Sequence, residues 1–222
     1  MSDTGDSRPD DTTDPGDDPD LAPVTADLPN SPITTTGTDH ITIWGSNAED
    51  TIEFYRDLLG MALVLRQPNL DDPSQTHLFF DTGDGTILTV FVSDDRDSEP
   101  RPQRAPTGGV HHLCFSIGPD RFREAETALK EADRSYNLFD RGIFLSLYTR
   151  DHNGLILELT TDKFSFPDEQ RGEVLAATQR IRERESAEYA QTEHMAAALE
   201  ELGLDAEQHD LPDADTGVGG IE

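Results

Sequence analysis

Three residues offer the plainest chemistry in this sequence: His40, His112 and Glu158. His40 lies in Asp39-His40-Ile41-Thr42-Ile43-Trp44. His112 lies in Val110-His111-His112-Leu113-Cys114-Phe115-Ser116-Ile117, and Glu158 lies in the aliphatic run from Gly154 to Thr161. Each segment has strand length and strand patterning. Successive side chains of a strand point to opposite faces. Ile41 and Ile43 therefore oppose His40, Thr42 and Trp44. Leu113, Phe115 and Ile117 oppose His112, Cys114 and Ser116, while Leu155, Leu157 and Leu159 oppose Ile156, Glu158 and Thr160. Every strand has a greasy face and a mixed face carrying one strong metal ligand. A carboxylate on a buried strand is costly unless a metal ion, an arginine or a hydrogen-bond network compensates it. The plain alternative is a glutamate on the solvent side of an edge strand. Two histidines and one carboxylate with open positions form the triad that suits Fe(II), Mn(II) and similar ions. If the mixed faces line one concave sheet, the three converge.

The elements that must position them form a pattern that occurs twice. The first copy opens with the His40 strand. A helix follows over Asn47 to Leu59, with Ile52, Tyr55, Leu58 and Leu59 at helical spacing and Gly60 to stop it. Strands are expected at Met61–Arg66, Thr76–Asp81 and Thr86–Ser93. The second copy opens with the His112 strand, continues through a helix over Pro119 to Ala132 and a strand over Tyr136–Asp140, and ends in a hairpin. That hairpin runs from Arg141 to Lys163 and turns at Asp151-His152-Asn153-Gly154, where Asn-Gly is the expected turn pair. The position matching Glu158 in the first copy falls near Thr89, which supplies no fourth ligand and leaves coordination sites open for water, substrate or oxygen. His77 reads as a core or rim histidine, His152 as an exposed turn residue, His194 as a helix-surface residue and Cys114 as a buried inert thiol.

Residues 1–37 are rich in Asp, Pro, Thr and Gly and are expected to be a disordered acidic tail. The repeated domain spans 38–166, as units 38–95 and 109–166 joined by a polar linker. Residues 167–203 read as one long helix or two, packed outside the domain or serving as a lid or dimer contact, and 204–222 as a second disordered tail. The net charge is −29, and Lys130 and Lys163 are the only lysines. Acid spread along the whole chain suits a surface adapted to high salt. It makes nucleic acid and anionic membrane poor partners. With a single cysteine, no internal disulfide is possible, which fits a reducing cytoplasm. No apolar run approaches the ~20 residues of a membrane span, and the N-terminus lacks the basic and apolar regions of a signal peptide.

The doubled strand–helix–three-strand unit with His40, His112 and Glu158 resembles the vicinal oxygen chelate superfamily, which includes glyoxalase I, fosfomycin-resistance thiol transferases, bleomycin-binding proteins and extradiol dioxygenases. The resemblance covers about residues 38 to 166. It implies an α+β fold in which two βαβββ units form a concave mixed sheet cup, helices outside, with a C-terminal helical extension. The final hairpin is most similar to the hydroquinone-type ring-cleaving dioxygenases, through Asp140-Arg141, Phe144, Ser146-Leu147-Tyr148, Arg150-Asp151, Gly154, Glu158 and Thr161-Asp162. Thr42 and the pair His111-His112 also match. Residue by residue, this implies His40, His112 and Glu158 as ligands of Fe(II) or Mn(II), with Tyr148, His111 and Arg141 near substrate or oxygen. It further implies a small dihydroxylated aromatic substrate and O2. Two features depart from that group: it usually has four units where this chain has two, and Asp39 stands where a histidine often precedes the first ligand. A two-unit chain must close its site within one cup or across a swapped homodimer. A glyoxalase-like lyase or isomerase, a thiol transferase, and a non-catalytic small-molecule binding protein are the alternatives on the same fold.

Overall fold

The computed structural model describes residues 22–97 and 105–214. The segments 1–21, 98–104 and 215–222, parts of both tails and of the linker, lie outside the described residues. Two compact units emerge. One holds Pro29–Ser165 with the segment from Glu207, and the other holds the helical extension from Phe166 to Ala206 with the described residues up to Leu28.

The first unit contains both copies of the pattern. Strand β1 (His40–Gly45) leads into α1 (Ala48–Ile52), which continues as a π-helical segment over Glu53–Leu58. Asn47 caps this helix, its side chain accepting from the Asp50 amide at 2.8 Å. Gly60, at φ +77°, ends it. Strands β2 (Ala62–Pro68), β3 (Thr76–Asp81) and β4 (Ile87–Val92) complete the first copy. The second copy is β5 (Leu113–Ser116), α2 (Pro119–Glu131), β6 (Asn137–Asp140), β7 (Phe144–Arg150) and β8 (Ile156–Asp162). Each copy makes a four-stranded mixed sheet, in the orders β1-β4-β3-β2 and β5-β8-β7-β6. In each, the first strand pairs in parallel with the last, and the other pairs are antiparallel.

The greasy faces go inward as the alternation requires. Phe54 and Tyr55 of the first helix pack with Leu78, Phe80 and Val90 of the first sheet, and with Leu113 and Leu157 of the second. Phe122 and Leu129 of α2 cover Leu145, Leu147 and Leu159, with Leu58 and Leu59 reaching the same cluster. The first helix thus joins both apolar faces, and both mixed faces lie on the far side of their sheets.

The hairpin turn differs from the expected Asn-Gly pair. Gly154 alone has positive φ, +86°. The Asp151 carboxylate organises the turn, accepting from the Asn153 amide at 2.8 Å and the Leu155 amide at 2.9 Å. His152 is buried, not exposed. The turn folds against the first helix, where His152 Nε2 lies 3.1 Å from Thr51 Oγ1 and 2.9 Å from Asn153 Nδ2. The Tyr55 hydroxyl donates to Asp151 at 3.0 Å, and the Ser46 amide to Asn153 Oδ1 at 3.2 Å. On β6, Asp140 receives both carboxylate contacts of Lys163, at 2.7 and 2.9 Å.

The second tail is not wholly disordered. The Ser165 amide donates to the Glu207 carbonyl and the His209 amide to the Lys163 carbonyl, each at 2.9 Å. Leu211 and Ala214 pack against the α2 cluster. Backbone donors beyond β8 find partners there, which holds the segment in place.

In the second unit the extension is two helices, α3 (Arg171–Arg184) and α4 (Thr192–Glu201), preceded by a 3-10 turn at Asp168–Gln170. They meet through Ala177, Ile181 and Ala198, small or branched side chains that let the backbones approach. Arg182 is buried and donates to the Ala187 and Glu188 carbonyls of the connection. His194 is also buried, where the sequence suggested a surface residue. It sits in a capping box, its Nδ1 accepting from the Gln191 amide at 2.9 Å.

Candidate metal centre

Glu158 sits mid-β8, 4% exposed, paired with Cys114 of β5 on one side and Tyr148 of β7 on the other. One oxygen, Oε1, accepts from the Ser146 hydroxyl at 2.5 Å. The other, Oε2, faces His112 Nε2 at 2.8 Å. Hydrogen bonds of this kind offset the cost of burying the carboxylate. A carboxylate only accepts, so His112 carries its proton on Nε2 in this arrangement. Its Nδ1 lies 2.7 Å from His111 Nδ1, and for a neutral His112 the donor in that contact is His111. His112 lies just before β5, because pairing begins at Leu113 rather than at Val110.

Tyr148 stands edge-on to His112 with ring centroids 5.9 Å apart. Burial, then the hydrogen bond to Glu158, raises its pKa above the ordinary tyrosine value, and the Arg141 hydrogen bond opposes the rise. The Arg141 guanidinium lies 5.2 Å from the Tyr148 ring centre and 4.7 Å from that of Phe139. Five sequence-indicated residues therefore cluster on the mixed face of the second sheet: His111, His112, Arg141, Tyr148 and Glu158.

His40 does not join them within one chain. Its side chain is 56% exposed and its Nδ1 pairs with Asp39 at 2.6 Å. Among the described residues, no group of three His, Cys, Asp or Glu side chains is close enough to hold a metal. The physical reason is the shared apolar core: both greasy faces turn toward the first helix, so the His40 face and the Glu158 face do not close over one another. Thr89 is buried and donates to Thr42 Oγ1 at 2.8 Å, a threonine pair. Cys114 is exposed, contrary to the expectation of a buried thiol, because β5 is an edge strand with its mixed face open. A cleft of about 480 Å³, lined by Ile41, Thr86, Cys114 and Ser116 among others, holds none of the predicted ligands.

The part that sequence reasoning missed is Ser146. Its period-two spacing to Tyr148 in the final hairpin is the signal in the sequence that could have found it. His112 and Glu158 fit a divalent ion as two of its ligands: a nitrogen and a carboxylate oxygen already face each other, and as a neutral ligand His112 would carry its proton on Nδ1, donating to His111 Nδ1 and leaving Nε2 for the ion.

A doubled βαβββ unit, each copy a four-stranded mixed sheet with its first and last strands parallel, defines a glyoxalase-type fold. The model of the Glyoxalase/Bleomycin resistance protein/Dioxygenase superfamily matches residues 37–159, and the chain belongs to that superfamily. A Bacillus subtilis protein named as ring-cleaving dioxygenase MhqA is 26% identical over 133 residues, covering 59% of this chain and 41% of MhqA. This chain therefore spans about two fifths of that relative's length. Metallothiol transferase FosB of Staphylococcus haemolyticus is 27% identical over 145 residues, covering 61% of this chain and 93% of FosB. The crystal structure titled as a dioxygenase from Bacillus subtilis matches at TM-score 0.50 and 27% identity, over 57% of this chain and 40% of that one.

Proposed function

We propose that this chain is a metal-dependent ring-cleaving dioxygenase whose substrates are a dihydroxylated aromatic, of the hydroquinone or catechol kind, and O2. The observation that carries this is the His112–Glu158 contact, with Ser146 behind it and Tyr148 and Arg141 on the same face. The relative named as a ring-cleaving dioxygenase supports it. His112, Glu158 and His40 from a second copy of the chain would hold the metal, Fe(II) first and Mn(II) second. When bound, the ion supplies Lewis acidity toward a substrate hydroxyl and an electron path between ring and O2.

The remaining roles belong to the protein. Ser146 fixes one Glu158 oxygen and leaves the other to face His112. His111 fixes the orientation of His112. Tyr148 keeps its phenolic proton, because burial and Glu158 both oppose ionisation, and offers it to a substrate oxygen. Arg141 steadies the Tyr148 ring and supplies positive charge where negative charge develops on oxygen. Both oxygen atoms end in the opened product and the ring itself supplies the electrons, so no further reductant is consumed.

The site is completed in a homodimer, in which the open His40 face of one copy covers the Glu158 face of the other. The motivation is exposure: His40 lies on an uncovered face, while among the described residues no third ligand stands beside the His112–Glu158 pair. A thiol transferase is the second reading, favoured by the match over nearly the full length of FosB. Among the described residues no helix is long and apolar enough to cross a membrane. The single cysteine motivates a cytoplasmic placement.

The test is oxygen uptake with hydroquinone and catechol, in high salt, by chain reconstituted anaerobically with Fe(II). His40→Ala and Glu158→Gln variants should each be inactive. Mixed in equal amounts they should recover about a quarter of wild-type activity, since half the dimers are mixed and each carries one complete site. No oxygen uptake on either diphenol sinks the dioxygenase assignment. Activity without recovery on mixing sinks the shared site.

A further inference from the structure

The registers of the first sheet set its mixed face in rows. Trp44, Phe91 and His77 form one row, and Thr42, Thr89 and Phe79 the next. The His77 ring lies 4.0 Å from Phe79 and 4.4 Å from Phe91, and Phe91 continues to Trp44 at 5.4 Å. Trp44 is 64% exposed yet held, because Arg96 lies 4.5 Å over its ring while donating to the Gly45 and Phe91 carbonyls. This is a wall of rings on the same face as His40.

His77 is the anomaly in that wall. Its Nε2 is buried and has no hydrogen-bond partner. A phenylalanine there would stack as well and orphan nothing, and a buried unpaired polar atom in a folded protein calls for an explanation. An imidazolium needs acceptors for both nitrogens, so a shut-in Nε2 keeps the ring neutral. Burial, and then the charge of His40, lower its pKa in the same sense. Among the described residues paired on this face none is Lys or Arg, and Asp81 is acidic. The Arg96 guanidinium is committed to two carbonyls and to Gln75. Its positive charge stands over the Trp44 ring.

We propose that His77 is a specificity-determining residue: with Phe79, Phe91 and Trp44 it forms a wall that takes a hydroxylated aromatic ring and hydrogen-bonds a ring hydroxyl through Nδ1. This rests on the placement of the His40 face in the substrate cup.

Trp44 is the chain's single tryptophan, so its fluorescence reports on this wall in the metal-free full-length protein. Hydroquinone and 1,4-dimethoxybenzene serve as probes, with free tryptophan as the control for absorption. Hydroquinone should quench saturably. His77→Phe keeps the stack and removes the hydrogen bond. It should weaken hydroquinone about tenfold and leave 1,4-dimethoxybenzene unchanged. His77→Gln keeps a hydrogen-bonding group and loses the ring, so it should weaken 1,4-dimethoxybenzene more than hydroquinone; it decides the matter if His77→Phe fails to fold. Unchanged hydroquinone affinity in His77→Phe, or no quenching by hydroquinone, overturns the proposal. Binding that depends on His77 without oxygen uptake by the Fe(II)-loaded chain overturns the dioxygenase assignment alone. Oxygen uptake on hydroquinone with KM unchanged in His77→Phe overturns the role of His77 alone.

Discussion

Glu158 has a defined orientation because of Ser146, and a prediction follows at that scale. Ser146→Ala leaves Oε1 without its 2.5 Å donor, so the carboxylate can turn away from His112. Metal affinity should fall about 10–100-fold, as for other groups that orient a ligand. A competitive metal titration checks this, and unchanged affinity would mean that packing alone holds Glu158. Strand alternation made much of this legible beforehand. Period-two reading put Glu158 on the mixed face of the last strand, and the cross-strand pairing Tyr148↔Glu158 sets Tyr148 beside it. It could not show that His112 and His40 face different spaces within one chain. Alternation gives the face of each strand, whereas the packing of one sheet against another depends on the long-range contacts of Phe54, Tyr55, Leu113 and Leu157.

Among the elements, the turn between β7 and β8 is the part whose character the sequence hid. Asp151-His152-Asn153-Gly154 is polar and reads as surface, yet Asp151 and His152 are buried against the first helix. Only the tertiary partners Thr51 and Tyr55 make that burial affordable. The burial has a pH signature at both ends of the scale. Desolvation lowers the pKa of His152 below 6.5, outweighing the pull of Asp151 and Asp50 in the other direction. The unfolded chain then takes up a proton before the folded one does, so stability is full above about 6.5 and falls as pH drops below it. Burial and Asp151 raise the pKa of Tyr55 well above 10.0, so the unfolded chain ionises first and stability falls again as pH rises past that value. Urea unfolding across pH should show both falls. His152→Gln should flatten the acid side. Tyr55→Phe should flatten the alkaline side and cost about 1–3 kcal/mol at neutral pH, because Asp151 loses a buried donor. A variant that leaves its own side of the profile unchanged would show that the titrating group is another.

The whole molecule carries a charge of −29, and self-repulsion of that size favours the unfolded chain until salt screens it. Thermal melting in about 0.1 M and about 2 M sodium chloride should show a clear rise in Tm with salt, since the Debye length shrinks from ~10 Å to a few ångströms. A flat response would remove the case for a surface adapted to high salt. The scarcity of lysine that accompanies this charge has a practical consequence. Lys163 is held by both oxygens of Asp140, while Lys130 is exposed on α2, behind the sheet that carries Glu158. Amine-directed coupling to a lysine would therefore attach the protein to a solid support by the back of its second sheet. Molecules held through Lys130 would share one orientation, with the mixed face of the Glu158 sheet turned away from the support.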